Sequence, residues 1–87
     1  MKRYKLVIGA SAYKQLQKIQ ATMRMKIEKE IDKLESNPRP SGVKKLTGSK
    51  EDLYRIRIGN YRVVYAVDDT IEIVDIRQIG HRKDIYR

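Results

Sequence analysis

The 87-residue chain has no cysteine and one histidine, His81. Without cysteine there can be no disulfide, no thiol nucleophile and no thiolate metal site. With a single histidine, a histidine-based metal site is excluded in practice, so no metal and no cofactor is expected. No apolar run is long enough to span a bilayer, and no signal-peptide core follows Met1. A cytoplasmic chain with no membrane contact is therefore expected. Three further patterns are missing: a glycine-rich phosphate loop, a paired-carboxylate arrangement and a Ser/His/Asp constellation. The usual protein-supplied acids, bases and nucleophiles are thus scarce.

What is abundant is positive charge. Lysine and arginine number 20 against 11 acids, a formal charge of +9. Such an excess steers a small protein toward polyanions but says nothing of fold. Nucleic acid is the first candidate partner, an acidic membrane surface the second and an acidic protein the third. Residues 1–27 hold no acid at all, four acids fall within Glu28–Glu35, and four more lie between Asp68 and Asp75. Much of this alternation is what solvated helix faces show.

The length fits one domain over residues 1–87, with little stability to spare. Lys2–Ile8 alternates like a strand and ends at Gly9. Ser11 is placed to cap a helix carrying Ala12, Leu16 and Ile19 on one stripe. Thr22 would cap a second helix, from about Met23 to Glu35, with Met23, Ile27, Ile31 and Leu34 facing the core. Asn37-Pro38-Arg39-Pro40-Ser41-Gly42 breaks the helices. After a short extended piece near Val43–Leu46, strands are expected at Leu53–Ile58, Tyr61–Val67 and Ile71–Ile79. The order β-α-α-β-β-β indicates an α+β fold, with a helix hairpin on one face of a small, mainly antiparallel sheet and the other face outward.

A two-residue turn at Gly59-Asn60 would fix a register in which Ile58 opposes Tyr61 and Arg57 opposes Arg62. Alternation then puts Tyr54, Ile56, Ile58, Tyr61, Val63, Tyr65 and Val67 on one apolar face. Arg55, Arg57 and Arg62 fall together on the other. Like charges opposed across a ladder destabilise the pair. Arginine is also the side chain suited to bidentate phosphate contact. The cluster reads as an anion site for a nucleic-acid backbone. A solvated sheet face, neutralised by Glu72 and Asp75, is the alternative.

The run Gly80-His81-Arg82-Lys83-Asp84-Ile85-Tyr86-Arg87 can fold over the same face. A phenol among cations is a plausible proton-transfer group, since its pKa falls beside positive charge. Tyr86 could equally be a packing anchor, and His81 a surface residue. RNA supplies its own nucleophile, the 2′-OH, so such a site need only orient the backbone, help a proton and stabilise charge on phosphorus.

Four segments together carry a resemblance: Asn37–Gly42, Lys45-Leu46-Thr47-Gly48, Leu53–Tyr65 and Gly80-His81-Arg82. In this combination, and across nearly its whole length, the chain resembles the RelE/ParE toxin superfamily, RelE branch. The resemblance implies a toxin of a type II toxin–antitoxin system that cleaves mRNA in the ribosome, without metal, by 2′-OH attack. It implies a cognate antitoxin of RelB type, acidic in character, with operator DNA met only through that antitoxin. Position by position, Arg55 and Arg57 match the family's basic pair, where its best-known member carries lysines. Arg62 matches a phosphate contact, Arg82 a charge stabiliser and Tyr86 the C-terminal catalytic tyrosine. His81 stands where that member has lysine and is a second proton-transfer candidate. Lys45 and Lys83 are further phosphate-binding candidates. Two other functions remain open: a ParE-like inhibitor of DNA gyrase, and a non-catalytic basic module that binds RNA or serves as a co-repressor.

Overall fold

A computed structural model describes residues 3–46 and 52–81. Its elements are β1 (Lys5–Ile8), α1 (Ala10–Gln17), α2 (Ala21–Lys33), β2 (Lys44–Lys45), β3 (Leu53–Ile58), β4 (Tyr61–Asp68) and β5 (Ile73–His81). The sheet runs β1-β5-β4-β3-β2. Every neighbouring pair is antiparallel except β1 with β5, which is parallel. The two helices form the crossover side and cover one face.

The core is the one the stripes foretell. Ala12, Leu16, Ile19, Ile27, Ile31 and Leu34 pack on Tyr54, Ile56, Ile58, Val63, Tyr65 and Val67, joined by Val74, Ile76 and Ile79 from β5. Each large aliphatic side chain buried this way contributes about 1.5–3 kcal/mol.

Boundaries differ from expectation for local reasons. α1 is capped by Gly9, and Ser11 lies inside its first turn. Gly9 donates its N–H to the Ile76 carbonyl at 2.9 Å and accepts from the Tyr13 N–H. A Cβ here would sit 3.2 Å from that Ile76 oxygen. This close approach brings β1 straight into the helix. α2 starts two residues before Met23, with Gln20 as its cap and Thr22 inside the helix. The Gln20 carbonyl accepts from the Arg24 N–H.

β5 begins at Ile73 because the Asp68 carboxylate takes the N–H groups of Thr70 and Ile71 first. Glu72 then turns the chain with a φ of 56°. β5 continues to His81, two residues beyond its expected end at Ile79.

The proline-bearing loop after α2 is held by polar contacts. The Arg39 guanidinium donates to both Asp69 carboxylate oxygens, at 3.2 and 2.8 Å, and its Nε donates to the Tyr54 hydroxyl at 2.9 Å. Tyr4 donates to the same carboxylate at 2.6 Å. The buried Tyr65 hydroxyl donates to the Pro38 carbonyl at 2.7 Å. Burial pushes the Tyr65 phenol up to about 12, against a partial opposing pull from the Arg39 charge.

Candidate nucleic-acid interface

The Gly59-Asn60 turn sets the register of the site. Gly59 has a φ of 60°, and Glu72 is the one non-glycine residue with positive φ among those described. Positive φ at the first central position alone makes the turn type II′, whose twist suits a two-residue hairpin. The pairs follow as expected: Ile58 with Tyr61, Arg57 with Arg62, Ile56 with Val63 and Arg55 with Val64. Arg55, Arg57 and Arg62 therefore share the face turned away from the helices.

That face is less open than expected. Arg62 is 3% exposed, and Val64 and Ala66 beside it on β4 are also buried. β4 is the central strand, and its outer face holds small side chains between longer ones. Arg55 and Gln78 flank Val64 on either side, and Arg57 flanks Arg62. Long polar side chains can cover a small neighbour with their stems. On its other side Arg62 opposes Gly80, which has no side chain to compete for space. Arg55 is half-buried and Arg57 exposed. The result is graded: one guanidinium sunk in the sheet, two nearer the solvent.

Lys44 joins this group. It pairs with Arg55, so it shares the arginine face, and it is exposed. Lys45 pairs with Tyr54 on the helix side and makes an ion pair with Asp52 at 3.4 Å. The arginine face therefore takes Lys44, whereas Lys45 was the expected candidate, because the length of the loop between β2 and β3 leaves the edge-strand register open in the sequence.

Asp75 and Glu72 lie toward the end of the sheet away from the Gly59-Asn60 turn. Asp75 lies opposite Ala66 and accepts from the Arg77 Nε at 2.8 Å. A bulge between Val64 and Tyr65 leaves Arg77 as the extra residue on β5, which turns it to Asp75's side. Glu72 lies outside the strand. Toward this end the outer face becomes an apolar and acidic groove of about 540 Å³, with Val7, Ile71 and Ile73 beside Asp68, Asp69 and Asp75. The outer face thus has a basic end and an end whose acids are largely paired, Asp75 with Arg77 and Asp69 with Arg39.

His81 does not join the arginines. It pairs with Tyr61, and the two rings meet edge to face with centroids 5.6 Å apart. Alternation puts both rings on the helix side, at the end of the sheet. Arg82, Lys83 and Tyr86 lie outside the described residues. Among the described residues no group of three or more His, Cys, Asp or Glu is placed to hold a metal ion. No helix described is long and apolar enough to cross a membrane.

Comparison with known proteins places this arrangement. Residues 6–86 match the family model described as the ParE toxin of type II toxin-antitoxin system, parDE. The RelE toxin of Mycobacterium tuberculosis is 36% identical over 85 residues, covering 97% of this chain and 87% of that one. Among solved structures, the RelE–RelB complex of the archaeon Pyrococcus horikoshii matches with a TM-score of 0.82 at 32% identity, over 92% of this chain and 96% of the other. The RelBE toxin–antitoxin complex of E. coli matches with a TM-score of 0.78 at 30% identity, over 90% and 95%. Sequence and fold agree along nearly the full length, and the chain belongs to the RelE/ParE superfamily of toxins from type II toxin–antitoxin systems.

Proposed function

We propose that this toxin is a ribosome-dependent endoribonuclease that cuts mRNA and so stops translation. The observation that carries the reading is the arginine face. Arg57 and Arg62 oppose each other directly, Arg55 and Lys44 flank them, and Arg62 is sunk beside Gly80. Two guanidiniums opposed across a ladder repel each other, and an anion held beside them relieves that repulsion. A pentacoordinate phosphate with growing negative charge is the kind of ligand that would use them.

In this reading the 2′-OH of the nucleotide before the cut attacks phosphorus and the bond to the 5′-oxygen breaks. The products are a 2′,3′-cyclic phosphate and a 5′-hydroxyl, with no metal required. Arg62 and Arg82 stabilise the phosphorane charge. Arg55, Arg57, Lys44 and Lys83 hold the flanking backbone. Tyr86 moves the proton, since His81 sits on the other side of the sheet. The scarcity of strong acid–base groups fits a toxin that relies on the ribosome to position its substrate in the cytoplasm. A cognate antitoxin of RelB type, acidic enough to cover the arginines, silences it and brings it to operator DNA. The relatives solved as RelE–RelB complexes support that partner.

The experiment is mapping of mRNA 5′ ends after brief induction of the wild type, Arg62→Ala and Arg82→Ala. Sharp cuts inside translated codons are expected for the wild type, falling by about 10²–10³-fold in each variant. Wild-type-level cutting by the folded double variant would sink the proposed site. The match to the ParE model favours one other reading, inhibition of DNA gyrase. Growth arrest with intact mRNA and a DNA-damage response would establish it instead. RNA binding without any cut would leave a non-catalytic module.

A further inference from the structure

We propose that the pocket between α1 and the end of the β4–β5 pair is a nucleobase subsite for a keto base, guanine or uracil, next to the scissile phosphate. The inference rests on the RNA-cleaving reading and adds a specificity site to it. The pocket has a volume of about 360 Å³. That lies at the small end of ligand pockets, which run from about 300 to 1,000 Å³. Its walls are Tyr61 and His81 from the sheet and Gln15 and Lys18 from α1 and its C-cap.

Each wall residue has a chemistry a base can use. Tyr61 and His81 are half-buried rings set nearly perpendicular, at 76°, so one offers a face where the other offers an edge. Nucleobases stack on such faces with little regard to sequence. Selection comes from the polar pair. The Gln15 Oε1 accepts from the Ile79 N–H at 2.9 Å. With its oxygen committed to that bond, the amide presents its NH₂ as the group for a ligand. Lys18 is exposed and can only donate. A wall of donors suits an edge of acceptors. Guanine shows O6 and N7, and uracil a carbonyl like that of thymine O4; adenine and cytosine place an amino donor there.

The pocket is also in the right place. Tyr61 directly precedes Arg62 on β4, and their partners, His81 and Gly80, are likewise consecutive on β5. The two positions are adjacent but their side chains leave opposite faces, so the ring wall and the phosphate-holding guanidinium are separated by the thickness of the sheet at its end. The Gly59-Asn60 turn ends the sheet just above, and Gly80 bears no side chain to block passage. A single nucleotide can cross the sheet end with its phosphate on the arginine side and its base on the helix side. This gives His81 a role its position away from the arginines denies it in proton transfer.

His81 is the only histidine, so its ring signals in an NMR spectrum belong to one residue. The full chain is titrated with 2′-O-methyl trinucleotides, which cannot be cut, of G, U, A and C, and with inorganic phosphate. The Arg62 Nε signal reports phosphate contact and the His81 ring reports the base. G and U are expected to move His81 at about tenfold lower concentration than A and C. Phosphate should move Arg62 alone. Lys18→Ala, at an exposed position, should erase most of the preference and leave the Arg62 response. A still His81 ring while Arg62 responds, or equal titration by all four bases, overturns the subsite and leaves the RNA-cleaving reading standing. Movement of His81 alone keeps the subsite and sinks the phosphate assignment. If neither signal moves, both fall.

Discussion

At the scale of single residues, burial decides more than charge. Arg62 and Arg57 are chemically alike, yet one is 3% exposed and the other lies in solvent. The difference comes from the strand each occupies: β4 is central, and Gly80 beside Arg62 leaves room for a side chain to lie flat. Tyr65 shows the same effect in a phenol. Its hydroxyl is buried on the Pro38 carbonyl, and its pKa rises from 10.0 to about 12 because burial disfavours the phenolate. Between those two values the unfolded chain loses the proton while the folded chain keeps it, so the folded state loses ground as pH rises. Below about pH 10 the contribution is fully present; it is lost through the window up to about 12. We expect stability, followed by chemical denaturation, to fall by on the order of 2 kcal/mol across that window beyond what the other tyrosines cause. Tyr65→Phe should start lower, having lost the hydrogen bond to Pro38, but should flatten the alkaline fall. An equal fall in both proteins would remove Tyr65 as its source.

At the scale of elements, the β3–β4 hairpin is the part the site depends on most. Gly59 turns with a φ of 60°, and a Cβ there would come within 3.2 Å of the Met23 Cε on α2. Gly59→Ala therefore combines a strained backbone with a tight contact, though the methionine end is flexible enough to move. A loss of about 1–2 kcal/mol is expected in denaturant midpoints. This hairpin was legible in the sequence because turn chemistry and burial agree. A slip of either strand by one residue would put Arg57 or Arg62 in the core. The helix stripes were legible for the same reason. β1 was not: four alternating residues fit either edge of a sheet, and only the Gly9–Ile76 approach shows that it runs parallel to β5. The bulge at Arg77 was hidden because a single extra residue leaves the apolar pattern on both sides intact. Lys44 was missed and Lys45 chosen because two lysines in a row carry no alternation. The burial of Arg62 needed Gly80 beside it, a pairing that begins on one side of the bulge and so could not be counted from the Asp68–Thr70 turn.

At the scale of the whole molecule, the charge of +9 is organised as well as large. The outer sheet face runs from Lys44, Arg55, Arg57 and Arg62 at one end to Asp68, Asp69 and Asp75 at the other. A polyanion approaching this face meets attraction at the turn end and little net charge at the far end, where Asp69 is paired with Arg39 and Asp75 with Arg77. The field therefore helps orient the strand as well as hold it. Contacts of this kind release counterions, and for single-stranded nucleic acid each one contributes about −0.7 to the slope of log affinity against log salt. If the four cations each meet a phosphate, RNA binding by the full chain should show a slope of about −3. Arg57→Ala should lower its magnitude by about 0.7. Asp68→Asn, at the far end, should strengthen binding at low salt and leave the slope nearly unchanged, because it alters the field without adding a contact. Fluorescence anisotropy of a labelled RNA across a salt series separates these cases. A slope that stays the same after Arg57→Ala would mean the RNA does not lie on this face. A slope that falls equally when any exposed lysine on the helices is removed would mean that the net charge, and not the arginine ladder, holds the RNA.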